Sequence, residues 1–277
     1  MAMAFTDDMK EEIQMDNYPQ KVISLCPSLT ETLVKLELKE QLVGRTTYCY
    51  RPKDEVENIK QIGGPKALDL VVIDSIDPDL IIAVKEENDR EQIEKLRERY
   101  NVFVFDVNTY SEALDMIIRL GELTGKQEKA VEMADSIDKS FAEIPQLKTP
   151  LTFLYLVWKD PLIAAGKRTY INNVLTSHGF SNCLDTFIQR YVTLNIEVFK
   201  KLKFDIAFLP TEPFEFNEDD EKDILAFFPD TDVRLVDGEV FSWYGYRMLY
   251  AAEYLKKLIN GFNDKKETRK PKSNPEV

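Results

Sequence analysis

Between Lys126 and Ile144 the chain carries no glycine or proline, and its apolar residues Ala130, Ala134, Ile137, Phe141 and Ile144 recur in helical steps of four and three. That spacing draws one stripe along a helix about 28 Å long at ~1.5 Å per residue, and Pro145 stops it. Short apolar runs flank this helix on both sides. Before it come Val22 to Leu25, Leu42 to Gly44, Leu80 to Ala83 and Val102 to Phe105, with an amphipathic stretch from Asp89 to Tyr100 between the last two. After it come Leu151 to Val157, a helical stretch from Tyr170 to Ser177, Ile206 to Leu209, Val233 to Val236 and a last helix from Tyr246 to Ile259. Runs of three to seven mostly apolar residues alternating with helices predict mainly parallel sheets covered on both faces.

The expected fold is therefore α/β: two Rossmann-like lobes joined by a single long backbone helix. The boundaries read as an N-terminal extension 1–20, an N-terminal lobe 21–125, the connecting helix 126–145, a C-terminal lobe 146–262 and a flexible tail 263–277 rich in charge and proline. No Gly/Ser-rich linker separates the halves.

Composition excludes several functions. The chain has 277 residues, with 36 Lys and Arg against 49 Asp and Glu, a net charge of −13 that repels nucleic acid. Its longest apolar runs are far shorter than the roughly 20 residues of a membrane span. Cys26, Cys49 and Cys183 show no CxxC spacing, and His178 is the sole histidine, so a metal site built from protein side chains is not expected. His178 precedes Gly179 at a helix end, where a cationic cap suits the helix dipole better than a catalytic base suits its setting. The first residues show no basic segment followed by an apolar one, so either the chain stays in the cytosol or an export signal has been removed.

Nucleotide-binding and elbow-serine motifs are missing. Polar and aromatic residues instead gather in loops that follow strands, where open α/β sheets place ligands. These are Pro27 to Glu31, Thr47 to Tyr50, Gly63 to Lys66, Glu86 to Asn88, Trp158 to Pro161, Thr211 to Phe214 and Phe241 to Gly245. Both tryptophans lie here, either capping the sheets or holding a flat ligand. Gly63 and Gly64 form a turn or a close approach to a ligand. Ser28 and Glu31 have capping-box spacing, which makes Glu31 a cap and not an acid catalyst. The acids Glu218 to Glu221 open a helix and lack the pattern of a calcium loop.

Lys21-Val-Ile-Ser-Leu-Cys-Pro-Ser-Leu-Thr-Glu31, Val43-Gly-Arg-Thr-Thr-Tyr-Cys49, Ile62-Gly-Gly64, Asp77-Pro-Asp-Leu-Ile-Ile-Ala83, the central helix and Val236-Asp-Gly-Glu-Val-Phe-Ser-Trp243, in that order, resemble the helical-backbone substrate-binding proteins of ABC importers, and most the cobalamin-binding branch. The resemblance covers residues 20 to 260. It implies a periplasmic, non-enzymatic and monomeric receptor, without a cofactor of its own, that clasps a corrinoid, haem or iron–siderophore in a cleft; for the cobalamin branch it implies a corrin held by aromatic and polar loop residues without a protein ligand to cobalt. It further implies a ligand surface of Ser28, Tyr48, Tyr50, Gly64, Glu87, Trp158, Tyr170, Glu212, Phe241, Trp243 and Arg247. The partner it implies is an importer permease, docked through one acid per lobe. Glu197 stands at that place in the second lobe, while the first has Val71, with Asp69 and Asp74 nearby. Two other readings use the same cleft: a cytosolic corrinoid carrier, or a chelatase-like enzyme working through Glu87, Glu212 and Asp160.

Overall fold

The computed structural model describes residues 2–267, with side chains to residue 264. Most of the expected flexible tail, residues 268–277, lies outside the described residues. Two units emerge. Residues 2–138 with Trp243–Met248 form the first; residues 139–242 and 249–267 form the second. The chain thus leaves the first unit inside the central helix and visits it again for six residues, whereas the sequence reading placed 146–262 wholly in one lobe.

The first unit opens with a hairpin, β1 (Met3–Thr6) and β2 (Glu12–Met15), where the sequence reading saw only an extension. Then follow β3 (Val22–Ser24), α1 (Pro27–Lys35), β4 (Leu42–Arg45), α2 (Lys53–Val56), β5 (Lys60–Gln61), a small hairpin of β6 (Gly63–Gly64) and β7 (Ala67–Leu68), α3 (Leu70–Ile76), β8 (Leu80–Val84), α4 (Arg90–Arg97), β9 (Val102–Phe105), α5 (Tyr110–Thr124) and α6 (Gln127–Ala142). The sheet has order β5-β4-β3-β8-β9 and every pairing is parallel. Alternate residues Ile23, Leu25, Ile81, Ala83, Val102 and Val104 give one face, on which Ile73 of α3 and Ile93 and Leu96 of α4 pack. The strands β3, β8 and β9 are buried on both faces, which is why β8 and β9 read as continuous apolar runs.

The opening hairpin guards the sheet's edge. Its turn donates Asp8 N–H to the Val104 carbonyl, while the Asp7 and Asp8 carboxylates accept from the amides of Val104 and Asp106. Asp7 is buried and ion-paired with Arg97 at 2.5 Å; Asp8 is held by Arg119 at 2.6 Å. Two carboxylates therefore occupy the place of a sixth strand along β9.

In the second unit come β10 (Leu151–Trp158), β11 (Ile163–Ala165), α7 (Tyr170–Ser177), β12 (Phe180–Asn182), β13 (Tyr191–Thr193), α8 (Ile196–Phe199), β14 (Ile206–Pro210), α9 (Glu218–Phe227), β15 (Asp232–Val236), α10 (Gly238–Ser242) and α11 (Met248–Glu267). The order is β13-β11-β10-β14-β15, with β12 also on β10. The β10, β12, β14 and β15 pairings are parallel, and β11 and β13 add an antiparallel flank. One face packs Leu154, Leu156, Ala207 and Leu209 with Phe199 and Ile224; the other is aromatic, with Phe208 at 5.9 Å from Phe241 and Phe180 at 5.9 Å from Phe262. The two sheets share no strand.

Helix ends show where local rules hold. Asp69, Asp89, Thr109, Thr169, Asn195 and Asn217 all cap with their side chains, and Asn217 with Asp220 closes a capping box at the acidic start of α9. At α1 the expected Ser28–Glu31 box does not form: Cys26 is the N-cap, Pro27 takes the first helical position, and Ser28 falls inside the first turn. The last helix runs to Glu267, beyond Ile259, because Asn263 binds the Lys148 amide and the Gln146 carbonyl. In α6 the stripe Ala130, Ala134, Ile137 and Phe141, with Ile144 just beyond it, is buried throughout.

His178 is itself the C-cap of α7, followed by Gly179 at φ +94°. It is not the cationic cap expected. Its ring is buried beside Phe141, neither ring nitrogen has a hydrogen-bond partner among the described residues, and burial pulls its pKa below the ordinary value. A histidine whose folded pKa is depressed supports the fold above its ordinary pKa of about 6.5 and withdraws that support as pH falls through it. Urea midpoints should therefore drop between pH 7.5 and pH 5.5. His178→Phe should flatten that drop while leaving stability at pH 7.5 unchanged or raised, since two unsatisfied buried nitrogens disappear.

Candidate ligand-binding site

In the first unit the loops after β3, β4, β5 and β8 meet at the carboxyl ends of the strands. Asn88, buried, ties three of them together: its Oδ1 accepts from Val84 N, and its Nδ2 donates to the carbonyls of Leu25 and Pro65 at 3.2 and 3.4 Å. Gln92 secures the β6–β7 hairpin, accepting from Leu68 N and donating to the Lys66 carbonyl. Gly63 stands at φ +92°, where an added Cβ would lie 2.3 Å from the Ala67 carbonyl, so the hairpin demands glycine there. Gly64 lies half-buried in the same hairpin. Sequence reasoning named the loop of Asn88 but not its role as a tie, which depends on partners 63 and 23 residues away.

Under these loops lies a layer of small polar groups. Thr30 Oγ1 donates to Ser24 Oγ at 2.8 Å, Cys26 Sγ faces Ser28 Oγ at 3.2 Å, and Cys49 Sγ faces Thr46 Oγ1 at 3.1 Å. Burial, reinforced by the nearby Glu87 carboxylate, lifts the Cys26 thiol well above its usual range; burial likewise pushes Cys49 up to about 11. Both stay protonated and unreactive. Among the described residues no three His, Cys, Asp or Glu side chains are arranged to hold a metal ion, and no helix is long and apolar enough to cross a membrane.

The returning segment Trp243–Met248 is fastened to α1. Arg247 donates Nε and Nη2 to the two oxygens of Glu31 at 2.9 and 2.7 Å, both side chains nearly buried. Tyr246 N donates to Thr32 Oγ1 at 3.0 Å, which in turn donates to the Ser28 carbonyl. Gly245, at φ +92°, fits because a Cβ would sit 2.2 Å from Thr32 Oγ1. The fastening sets Trp243, buried at 5% exposure, beneath Tyr50 at 5.8 Å, with the Arg247 guanidinium 5.5 Å from the indole. Tyr48 and Tyr50 remain 61% and 44% exposed, and Glu87 is half-buried. Ser28 is buried. Of the first unit's expected residues, Tyr48, Tyr50, Gly64 and Glu87 present surface, while Ser28, Trp243 and Arg247 support it from below.

In the second unit Trp158 is 40% exposed, its indole N–H donating to the Asp160 carbonyl and its ring edge-on to Phe214 at 5.5 Å. Glu212, half-buried, accepts from Ser242 Oγ at 3.1 Å, and Gly238 packs against it so closely that a Cβ would meet its Cγ at 2.6 Å. Asp160 is exposed. Phe241 and Tyr170, expected on the ligand surface, are buried at 0% and 3% and belong to the packing beneath it. Cis peptides precede Pro52, Pro161 and Pro213 in these loops of the two units.

The residues expected to meet a permease sit at matching places. Val71 and Glu197 are each the second residue of a helix capped by an Asx side chain, Asp69 for α3 and Asn195 for α8. Glu197 is exposed and Val71 is 78% exposed. The neighbouring acids are occupied: Asp69 caps α3, and Asp74 binds Arg99 and Tyr100, both at 2.8 Å.

Residues 22–232 match the family described as "Periplasmic binding protein". The ABC transporter substrate-binding lipoprotein YvrC of Bacillus subtilis (strain 168) is 25% identical over 181 residues, 61% of this chain and 57% of its own. A vitamin B12-binding protein of Photorhabdus laumondii is 26% identical over 168 residues, 59% of this chain and 61% of its own. The chain thus spans about three-fifths of the length of these relatives. The apo structure of the periplasmic haem-binding protein RhuT from Roseiflexus sp. RS-1 superposes with a TM-score of 0.72 at 19% identity, covering 88% of this chain and 98% of that one. It is a likeness of fold.

The Glu31–Arg247 pair carries a direct test. Glu31→Ala leaves a guanidinium largely buried without its carboxylate, which is expected to cost about 3–5 kcal/mol in urea denaturation. Arg247→Lys loses the two-pronged geometry and should recover only part of that stability. In both variants the Trp243 emission should shift to the red as the indole loses its cover.

Proposed function

The chain belongs to the periplasmic binding protein family, and from that premise we propose that it is the substrate-binding protein of an ABC importer, capturing a corrinoid or a closely related metal chelate outside the cytoplasmic membrane. The observation that carries this reading is the set of exposed aromatics Tyr48, Tyr50 and Trp158 on the strand-end loops of both units. Large rings left in water on fixed loops suit a broad, flat ligand with polar edges. Fixing comes from Asn88 and Gln92 in the first unit and from the Glu212–Ser242 bond in the second. The chelate supplies all ligands to its own metal, as suits a chain whose single histidine is a buried helix cap. The family is one of binding proteins and not of enzymes, and the relatives' names, a substrate-binding lipoprotein and a vitamin B12-binding protein, support the same direction.

Cyanocobalamin, haemin and ferric hydroxamates, titrated against tryptophan emission, test the reading. A corrinoid should quench Trp158. Tyr50→Ala and Trp158→Ala should each weaken its binding about tenfold, since a stacked aromatic contributes roughly 0.5–1.5 kcal/mol beyond its buried area. No binding of any chelate would remove the proposal.

Delivery follows from Glu197. We propose that it meets a cationic residue of the permease, while Val71 offers an apolar contact in the first unit. Glu197→Lys should reduce binding to the cognate permease and its salt dependence without altering ligand affinity. A charge reversal that leaves permease binding intact would favour the cytosolic carrier.

A further inference from the structure

The outer edge of β9 is closed without a strand. β1 and β2 make a two-stranded sheet of their own and enter no ladder of the five-stranded sheet. Along β9 the Val102 carbonyl accepts from Arg97 Nη1 at 3.1 Å, Val104 donates its N–H to Asp7 Oδ2 and accepts from Asp8 N, and Asp106 donates its N–H to Asp8 Oδ2 at 2.8 Å. Two ion pairs complete the joint, Asp7 with Arg97 and Asp8 with Arg119. Of these contacts only the Asp8–Val104 bond joins backbone to backbone, so the edge is sealed mainly by side chains.

The hairpin that supplies them is complete in itself. Its strands pair from Met3↔Met15 to Thr6↔Glu12, and its turn is closed internally by Asp7 N to the Glu11 carbonyl at 2.9 Å and by Asp7 Oδ1, which accepts from Met9 N and Glu11 N. Lifting it from β9 breaks none of these bonds. Residues 16–21 connect it to β3; all but Pro19 are exposed, and six residues reach about 20 Å when extended. Asp79 Oδ2 accepts from Gln20 N and Lys21 N at 2.7 and 2.8 Å, which fixes a pivot at the far end of the connector. Pro19 biases the residue before it toward extended backbone.

We propose that this joint is an exchange interface: the β9 edge of one copy of the chain accepts the opening hairpin of a second copy and gives its own in return, forming a closed twofold dimer. The joint itself names the occupant, because a second copy brings the same two acids to the same two arginines. Exchange re-forms every contact described above, so concentration sets the balance. A hairpin on a short tether meets its own edge at a millimolar effective concentration, and dilute wild type stays closed on itself. The interface lies wholly in the first unit and does not depend on what the strand-end loops bind.

The test moves charge across the joint in the full chain. Asp8→Arg and Arg119→Asp each set like charges against each other in a monomer, and combining them keeps the summed length of the two side chains. In an exchanged dimer of one variant with the other, both joints regain opposite charges, one reversed and one as in the wild type. Unfolded together in urea and refolded at about 10 µM, far below the effective concentration of the tether, the mixture should elute at twice the mass of the chain. A tag on one variant should retain the other, and the dimer should exceed that of either variant alone by about tenfold or more. Both substitutions in one chain should restore the monomer. A mixture that elutes as monomer, a dimer no more abundant than with either variant alone, or open-ended higher oligomers would overturn the exchange. Should a variant fail to fold alone, thermal midpoints decide: folding regained together with the dimer supports the exchange, and folding regained without it, or not at all, overturns it.

Discussion

A buried two-pronged ion pair between Glu31 and Arg247 joins residues 216 positions apart. Taking both charges out of water is costly, and the pair endures because the guanidinium fork matches the carboxylate and both groups are bonded. What it fixes is a piece of backbone. Trp243–Met248 is tied to the first unit by this contact, the Tyr246–Thr32 bond and the close seating of Gly245. Trp243 and Tyr50 meet because that segment is fixed, so the exposed aromatic surface of the first unit depends on the far end of the chain.

The sheets were legible because strands buried on both faces must be apolar throughout. β8 and β9 show this most clearly, and the stripe in α6 obeyed the helical period. The edges were not legible. β1 and β2 are only four residues each and owe their place to Asp7 and Asp8, whose partners lie 90 to 111 residues away. β11 and β13 are three-residue strands, the first held by register with β10 and the second by register with β11, and they give no pattern of their own.

In the site, residue type was a better guide than burial. Tyr48, Tyr50 and Trp158 reach solvent as a ligand surface requires, but Phe241 and Tyr170 have the same aromatic character and lie in the core. Alternation explains the core. Phe153, Tyr155 and Phe208 project an aromatic face from β10 and β14, and Phe241 completes it. Glu31 shows the limit of local rules. Its spacing from Ser28 fits a cap, yet a partner far along the chain claims the carboxylate, and Pro27 leaves the helix start less in need of one. Asn88, which locks the loops together, is silent in sequence because amides of that kind are ordinary in turns.

The hairpin at the beginning of the chain has a consequence for synthesis. Its two carboxylates serve amides of Val104 and Asp106, 97 and 98 residues downstream. A growing chain presents this hairpin before β9, and at roughly 5–20 residues per second several seconds pass before that strand exists. Until then Asp7 and Asp8 remain hydrated acids on a tether, and β9, once made, has an open edge until they arrive. The opening residues are therefore satisfied only after β9 has been made, and they close the sheet's edge against other chains only when the sheet is complete.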